Sequence, residues 1–244
     1  MNLLLAAARV RQGNGIIDIP GPAALLHGNT EWGYYGEVPN LVSQSVLASN
    51  VGLTIGTVLN EHPGWLKFSA KGKTLFVAKK PLRSGVSWYD LYAKGAVFGD
   101  DGMGSSPPVT KPMALQNKRI VIGGLTYRVR LLRGFDVSVP DRSQGTFDST
   151  TVSGEFARLI LPVLAGVQNG QVSADWAAFS YADLGMVDNG ARTLIQEAAR
   201  STDSTGENFR WYMGRSLDYN YVFNAFFNGR EHVYGWRPVL ELDD

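Results

Sequence analysis

The chain contains no cysteine. Disulfide staples, cysteine-ligated zinc and thiol nucleophiles are therefore excluded. Net charge is nearly absent as well: 23 basic residues face 22 acidic ones, for a formal charge of +1. No global field draws such a chain onto nucleic acid or an anionic membrane. Long hydrophobic runs are missing too. The opening "MNLLLAAARVRQGNG" has an apolar stretch of roughly seven residues, too short to cross a bilayer and without the preceding basic region of a signal peptide. It reads as a short ordered arm or anchor in a protein that stays in the cytoplasm of its producer, with no membrane insertion. Histidine is scarce: His27, His62 and His232 lie far apart in loop-like surroundings, and no nucleophile-elbow pattern surrounds any serine.

What is present suits a folded chain rich in strands and turns. Of 244 residues, 44% are hydrophobic and 11% aromatic, with 28 glycines. That length can bury a real core. Residues 1–40, rich in Gly, Pro and Asn, read as an extended N-terminal arm in which Ile16, Ile17 and Ile19 are isolated apolar anchors. Residues 41–244 read as one domain.

Within that domain, "LVSQSVLASN" (41–50) predicts a short helix, to which "VGLTIGTVLN" (51–60) adds a turn. "WLKFSAKGKTLFVAKKPL" predicts strands over Trp65–Ser69 and Thr74–Lys79 about a turn at Lys71-Gly72. Ser87 and Asp90 form the capping box of a short helix ending at Gly95. Gly123-Gly124 supplies the positive φ of a tight hairpin turn between Arg119–Ile122 and Thr126–Leu132, where alternation places Arg128 and Arg130 on a wet face.

Further along, "SGEFARLILPVLAG" carries Phe156, Leu159, Ile160, Val163 and Leu164 at helical spacing behind Ser153, and Pro162 should kink or shorten that helix. "NGARTLIQEAAR" predicts a second helix through Ala191, Leu194, Ile195 and Ala198, capped by Asp188 or Asn189. From 201 to 233, polar and aromatic residues alternate irregularly. The chain's end, "VYGWRPVLELDD", reads as a strand with Tyr234, Trp236, Pro238, Leu240 and Leu242 on one face and Arg237, Val239 and Glu241 on the other. Pro238 cannot donate to a ladder, so it belongs at a strand's first residue, an edge or a bulge. The order of elements fits an α+β fold with short antiparallel strands, two main helices and long loops, closed by a last strand that pairs with the first hairpin.

Chemical motifs are sparse. "KGKT" (71–74) imitates the end of a phosphate loop, but Lys67 stands where that loop needs glycine. "DSTGEN" (203–208) offers oxygen ligands without the spacing of a calcium loop. Asp136, Asp141, Asp148 and Glu155 contain possible carboxylate pairs for glycoside hydrolysis, and nothing selects one. No cofactor or metal follows. Residues 210–236 stand out: nine aromatics interleave with Asn220, Asn224, Asn228, Arg215, Arg230 and Glu231. Such a mixture is the chemistry of a recognition surface, and equally the filling of a loop-rich core.

Five segments, "YYGEVPN", "GWLKFSAKGKTLFVAKKPLRSGVSWYDLYAKGAVFG", "LTYRVRLLRG", "GEFARLILPV" and "YGWRPVLEL", resemble in this order segments of virion structural proteins of tailed bacteriophages. Those proteins are similar to C-type-lectin-like and formylglycine-generating-enzyme-like folds, whose domains also close with a Gly-aromatic-Arg-Pro strand. The resemblance spans about residues 32–242. It implies a C-type-lectin-like domain and a non-enzymatic particle component, either a tail fibre or adhesin part or a head decoration. Such a protein is made in the host cytoplasm, located in the virion, and partnered by other virion proteins and by its own copies. Many weak contacts would then sum to avidity for a host-surface glycan or protein. A free carbohydrate-binding module, or an enzyme on the same scaffold, is the alternative. The cysteines that the family's oxidases need are absent, and "EVPN" (37–40) is not the lectins' calcium and sugar motif. Tyr219, Asn220, Tyr221, Asn224, Asn228 and Arg230 are the candidate ligand contacts. Trp236, Arg237 and Pro238 are structural. On this reading Arg237→Ala lowers soluble yield and stability, and Asn228→Ala does not.

Overall fold

The computed structural model describes residues 9–12, 15–105, 107–108, 111–134, 154–165, 176, 179–186, 192–199, 209–216, 219–226, 229–230 and 234–243. They form a mainly β architecture with a few short helices. An antiparallel sheet of seven strands comprises β3 (His27–Gly28), β4 (Trp32–Val38), β6 (Trp65–Ala70), β7 (Lys73–Ala78), β15 (Val239–Leu242), β10 (Leu125–Arg130) and β9 (Arg119–Ile122), in that spatial order. A second sheet of six runs β13 (Tyr219–Phe226), β12 (Phe209–Ser216), β11 (Arg192–Ala199), β14 (Tyr234–Trp236), β8 (Arg83–Ser84) and β5 (Thr57–Val58). Near the N-terminus, β1 (Arg9–Gln12) and β2 (Gly15–Asp18) pair with each other.

Local chemistry explains several of these elements. At both tight hairpins the two turn residues have positive φ: 50° and 77° at Lys71 and Gly72, 58° and 83° at Gly123 and Gly124. That geometry matches the twist of the flanking strands. The helix α1 (Gln44–Val51) starts at Ser43, whose hydroxyl accepts from the Val46 amide. It stops at Gly52, in the left-handed region at φ 78°, so residues 52–60 add no further turn to it. The capping box of α2 (Trp88–Tyr92) forms as its sequence predicts, with Ser87 and Asp90 each bonding the other's backbone amide.

Residues 156–163 are buried except Arg158, and Pro162 shortens their helix as expected. A π-helical turn over Phe156–Ile160 leads into the brief α3 (Leu161–Val163). Pro162 has no N–H to offer the carbonyl of Arg158, and the Leu161 amide reaches back five residues to Phe156 instead.

The second predicted helix is a strand. Residues 192–199 form β11, antiparallel to β12 and parallel to β14. Leu194 belongs to one core cluster and Ile195 to the other. A strand buried on both faces loses the alternation by which strands are recognised, and the helix-forming "QEAA" completes the imitation. The irregular 201–233 stretch also contains order, since β12 and β13 pair over eight positions from Phe209↔Phe226 to Ser216↔Tyr219. The described helices are thus short, and two main helices are not what organises the fold. Within the first forty residues, β4 pairs with β6 from Trp32↔Ala70 to Val38↔Trp65, and Ile19 packs on the core.

Residues 234–242 hold the two sheets together. β14 lies between β11 and β8 in one sheet, and β15 lies between β7 and β10 in the other. Arg237 and Pro238 are the crossing. Alongside them, residues 79–82 carry the chain from β7 to β8 in the opposite direction. The Leu82 amide donates to the Trp236 carbonyl (2.8 Å) and the Ala78 amide to the Pro238 carbonyl (3.1 Å). Proline's missing donor therefore falls in the break between two strands. Alternation holds across the break: Trp236, Leu240 and Leu242 enter one core cluster and Val239 the other. The first cluster adds α1, α2 and Leu194. The second adds the π-turn and α3, so both faces of the larger sheet are covered.

Candidate functional site

Tyr219, Asn220, Tyr221 and Asn224 all lie on β13, the outermost strand of the six-stranded sheet. Strand alternation puts positions 219 and 221 on one face and 220 and 224 on the other, so the four do not share a flat platform. Asn228 lies outside the described residues. Arg230 grips Asp90 with two hydrogen bonds, Nε to Oδ2 at 2.8 Å and Nη2 to Oδ1 at 2.6 Å. It thereby ties its segment to the first turn of α2. Burial pushes the Asp90 carboxyl upward, but the bonds from Arg230 and Ser87 outweigh it and leave the pKa below the usual range. The Arg230 side chain stays 57% exposed, so it can still meet a ligand.

The structural trio gathers at the crossing. Trp236 and Arg237 are fully buried. The Arg237 guanidinium donates from Nε to the Thr193 hydroxyl (3.0 Å), from Nη1 to the carbonyls of Ala78 (3.0 Å) and Lys79, and from Nη2 to the Leu184 carbonyl. One side chain thus fastens β11, the end of β7 and the 180–185 turn to the crossing. Its partners are neutral, and burial lowers its pKa below the ordinary arginine value.

Arg130 corrects the wet-face expectation. It is 2% exposed. Its Nη1 and Nη2 donate to Glu155 Oε2 and Oε1, both at 2.7 Å, and its Nε to Glu241 at 2.8 Å. The face is dry because residues 154–164 cover it, and Glu155 arrives with them to neutralise the charge. Burial alone would lower the Arg130 pKa, but Glu155 and then Glu241 raise it. Arg128 is 22% exposed and shares Asp243 with Arg119. Sequence reading missed the buried pair; its one trace is an acidic residue heading an otherwise apolar helical stripe.

Glu155 accepts also from the Arg133 amide (3.0 Å), so both its oxygens are committed to hydrogen bonds. Asp136, Asp141 and Asp148 lie outside the described residues, as do "DSTGEN" and His232. His27 is exposed and stacks on Trp176 at 6.5 Å, and His62 is exposed. "KGKT" is the β6–β7 turn, and Glu37 of "EVPN" pairs with Lys79. Among the described residues there is no cluster of three or more side chains that could hold a metal ion. No helix among them is long and apolar enough to cross a membrane.

Lys67 is a further buried charge, 2% exposed. Its ammonium donates to the Pro22 carbonyl (2.8 Å) and lies 5.4 Å from the Tyr35 ring and 6.0 Å from that of Phe76. Burial lowers its pKa to about 8. From there to the ordinary lysine value the unfolded chain holds a proton that the folded one releases, so stability should rise with pH. We expect a gain of ~1–2 kcal/mol between pH 7.5 and 9.5 in urea unfolding, and its loss in Lys67→Met. Above pH 10 the sign reverses. Burial raises Tyr34 and Tyr127 to about 12, and the fold then keeps protons that the unfolded chain sheds.

Comparison of the chain with protein-family models, with curated proteins and with solved structures finds no match.

Proposed function

We propose that the chain is a non-enzymatic structural component of a tailed-bacteriophage particle, built on a C-type-lectin-like base and displayed on the tail as a fibre or adhesin part or on the head as a decoration. One observation carries the reading. The five segments that bear the resemblance come together as the base: "YYGEVPN" in β4, the long second segment through β6, β7, β8 and α2, "LTYRVRLLRG" in β10, "GEFARLILPV" in the π-turn and α3, and "YGWRPVLEL" in β14 and β15. The arginine of the closing motif is the one that fastens the crossing. Such a base supports the β12–β13 ribbon at the edge of a sheet, where Tyr219, Asn220, Tyr221 and Asn224 can contact a host-surface glycan or protein. Copies arrayed on a particle would multiply that weak contact.

The test is immunogold labelling of intact particles with an antibody raised against the purified chain. Regular labelling at one location on the particle is the expected result. Unlabelled particles, together with glycan binding by the isolated monomer, would contradict the proposal in favour of a free carbohydrate-binding module.

A further inference from the structure

Beyond the display reading, and independent of it, β13 raises a question of its own. It is an outer strand of the six-stranded sheet, and along its eight residues it is paired only with β12 among the described residues. Every second residue of such a strand turns its N–H and C=O outward. Soluble proteins protect edges of this length with lysine, proline, an inward-pointing charge or a bulge. "YNYVFNAF" (219–226) has no charge and no proline, and its pairing with β12 is unbroken. Five of its eight residues are aromatic or β-branched, the composition that pairs most readily. By contrast, the partner strand β12 carries Arg210 and Arg215.

The sequence also says what fits. About Val222 the strand is nearly palindromic: Tyr221 mirrors Phe223, and Asn220 mirrors Asn224. An antiparallel pair of identical strands related by a two-fold axis perpendicular to the sheet places residue 222 opposite itself, 221 opposite 223 and 220 opposite 224. In that register aromatic meets aromatic and amide meets amide, twice each, and these are the cross-strand pairs that stabilise a sheet. Shifting the axis by one residue, to Phe223, opposes Asn224 with Val222 and Tyr221 with Ala225, and the matching is lost. Self-complementarity of this kind is what a two-fold interface demands of a surface.

We infer that two copies of the chain join through β13, antiparallel and centred on Val222, so that their six-stranded sheets become one continuous sheet. The backbone edge supplies the hydrogen bonds. A dimer would present the contacts proposed above in duplicate.

A chain without cysteine makes the test direct. Sedimentation equilibrium of the purified full-length chain should give the mass of a dimer, and Val222→Lys, which opposes two like charges at the axis, should weaken it at least tenfold. Val222→Cys should cross-link to a dimer under mild oxidation, because directly opposed residues of an antiparallel pair lie within disulfide reach. Asn220→Cys and Asn224→Cys should cross-link only when the two variants are mixed. A monomer at all concentrations would overturn the inference. So would a dimer indifferent to Val222→Lys, or cross-linking of Asn220→Cys alone as readily as Val222→Cys. None of these readings uses particles, so the outcome is separable from that of the immunogold experiment.

Discussion

Arg237→Ala is expected to lower folding stability by about 3–5 kcal/mol, a large fraction of what a domain of ordinary stability possesses. The side chain is completely buried and donates to three backbone carbonyls and to the Thr193 hydroxyl. Alanine would leave those carbonyls without a donor in a place water reaches poorly, in addition to opening a cavity. The damage would also be shared, because the carbonyls belong to the end of β7 and the 180–185 turn, and Thr193 to β11. Arg237→Lys should recover only part of the loss: an ammonium has three donors on one atom and cannot reproduce a fork that spans three segments. Urea unfolding of the purified variants measures both changes. A loss of less than about 1 kcal/mol in Arg237→Ala would mean that the crossing is held by something else.

A comparable loss, again about 3–5 kcal/mol, is expected for Glu155→Ala, for a different reason. The bidentate pair with Arg130 is buried, with side-chain exposures of 2% and 7%. Removing the carboxylate strands a guanidinium whose remaining acidic partner, Glu241, is the more exposed of the two at 18%. The pair itself contributes much less than its breakage costs, because both charges had to leave water to form it. The double variant Arg130→Met/Glu155→Leu should therefore be far closer to the parent than Glu155→Ala alone, within about 1–2 kcal/mol. If the double variant is as unstable as the single one, the loss comes from packing around residue 155 and not from an uncompensated charge.

These two arginines also mark what the sequence could and could not reveal. Local signals translated well. Lys71-Gly72 and Gly123-Gly124 made their turns because few residues accept positive φ at two successive positions. Ser87 and Asp90 capped their helix, whereas Gly52 stops α1 where the sequence suggests a further turn. The strand character of the closing residues followed from alternation, but they form two strands, β14 in one sheet and β15 in the other, and Pro238, expected at a first residue, an edge or a bulge, falls in the break between them. What was hidden depended on residues distant in the chain. Arg130 looked like a solvated face, because its burial is decided by Glu155 and the π-turn that follows. Residues 192–199 looked helical, because a strand pressed between two cores has no polar side to declare itself. β12 and β13 were obscured differently. Aromatic residues occupy both alternating sets of each strand, so no wet face stands out, yet the register from Phe209↔Phe226 to Ser216↔Tyr219 is regular. The candidate ligand residues were drawn from one stretch of sequence, and strand geometry divides them between two faces.

Residues 234–242 tie the two sheets together, and native-state hydrogen exchange tests that directly. The amides of Val239, Leu240, Glu241 and Leu242, with those of Leu75, Phe76 and Val77 beside them, should exchange only through global unfolding and be among the slowest in the protein. Leu82, whose amide donates to the Trp236 carbonyl, should belong to the same protected set. Exchange of residues 239–242 at the rate of a frayed terminus, while β6 and β7 remain protected, would show that the carboxyl-terminal strands do not clasp the sheets and would contradict the account.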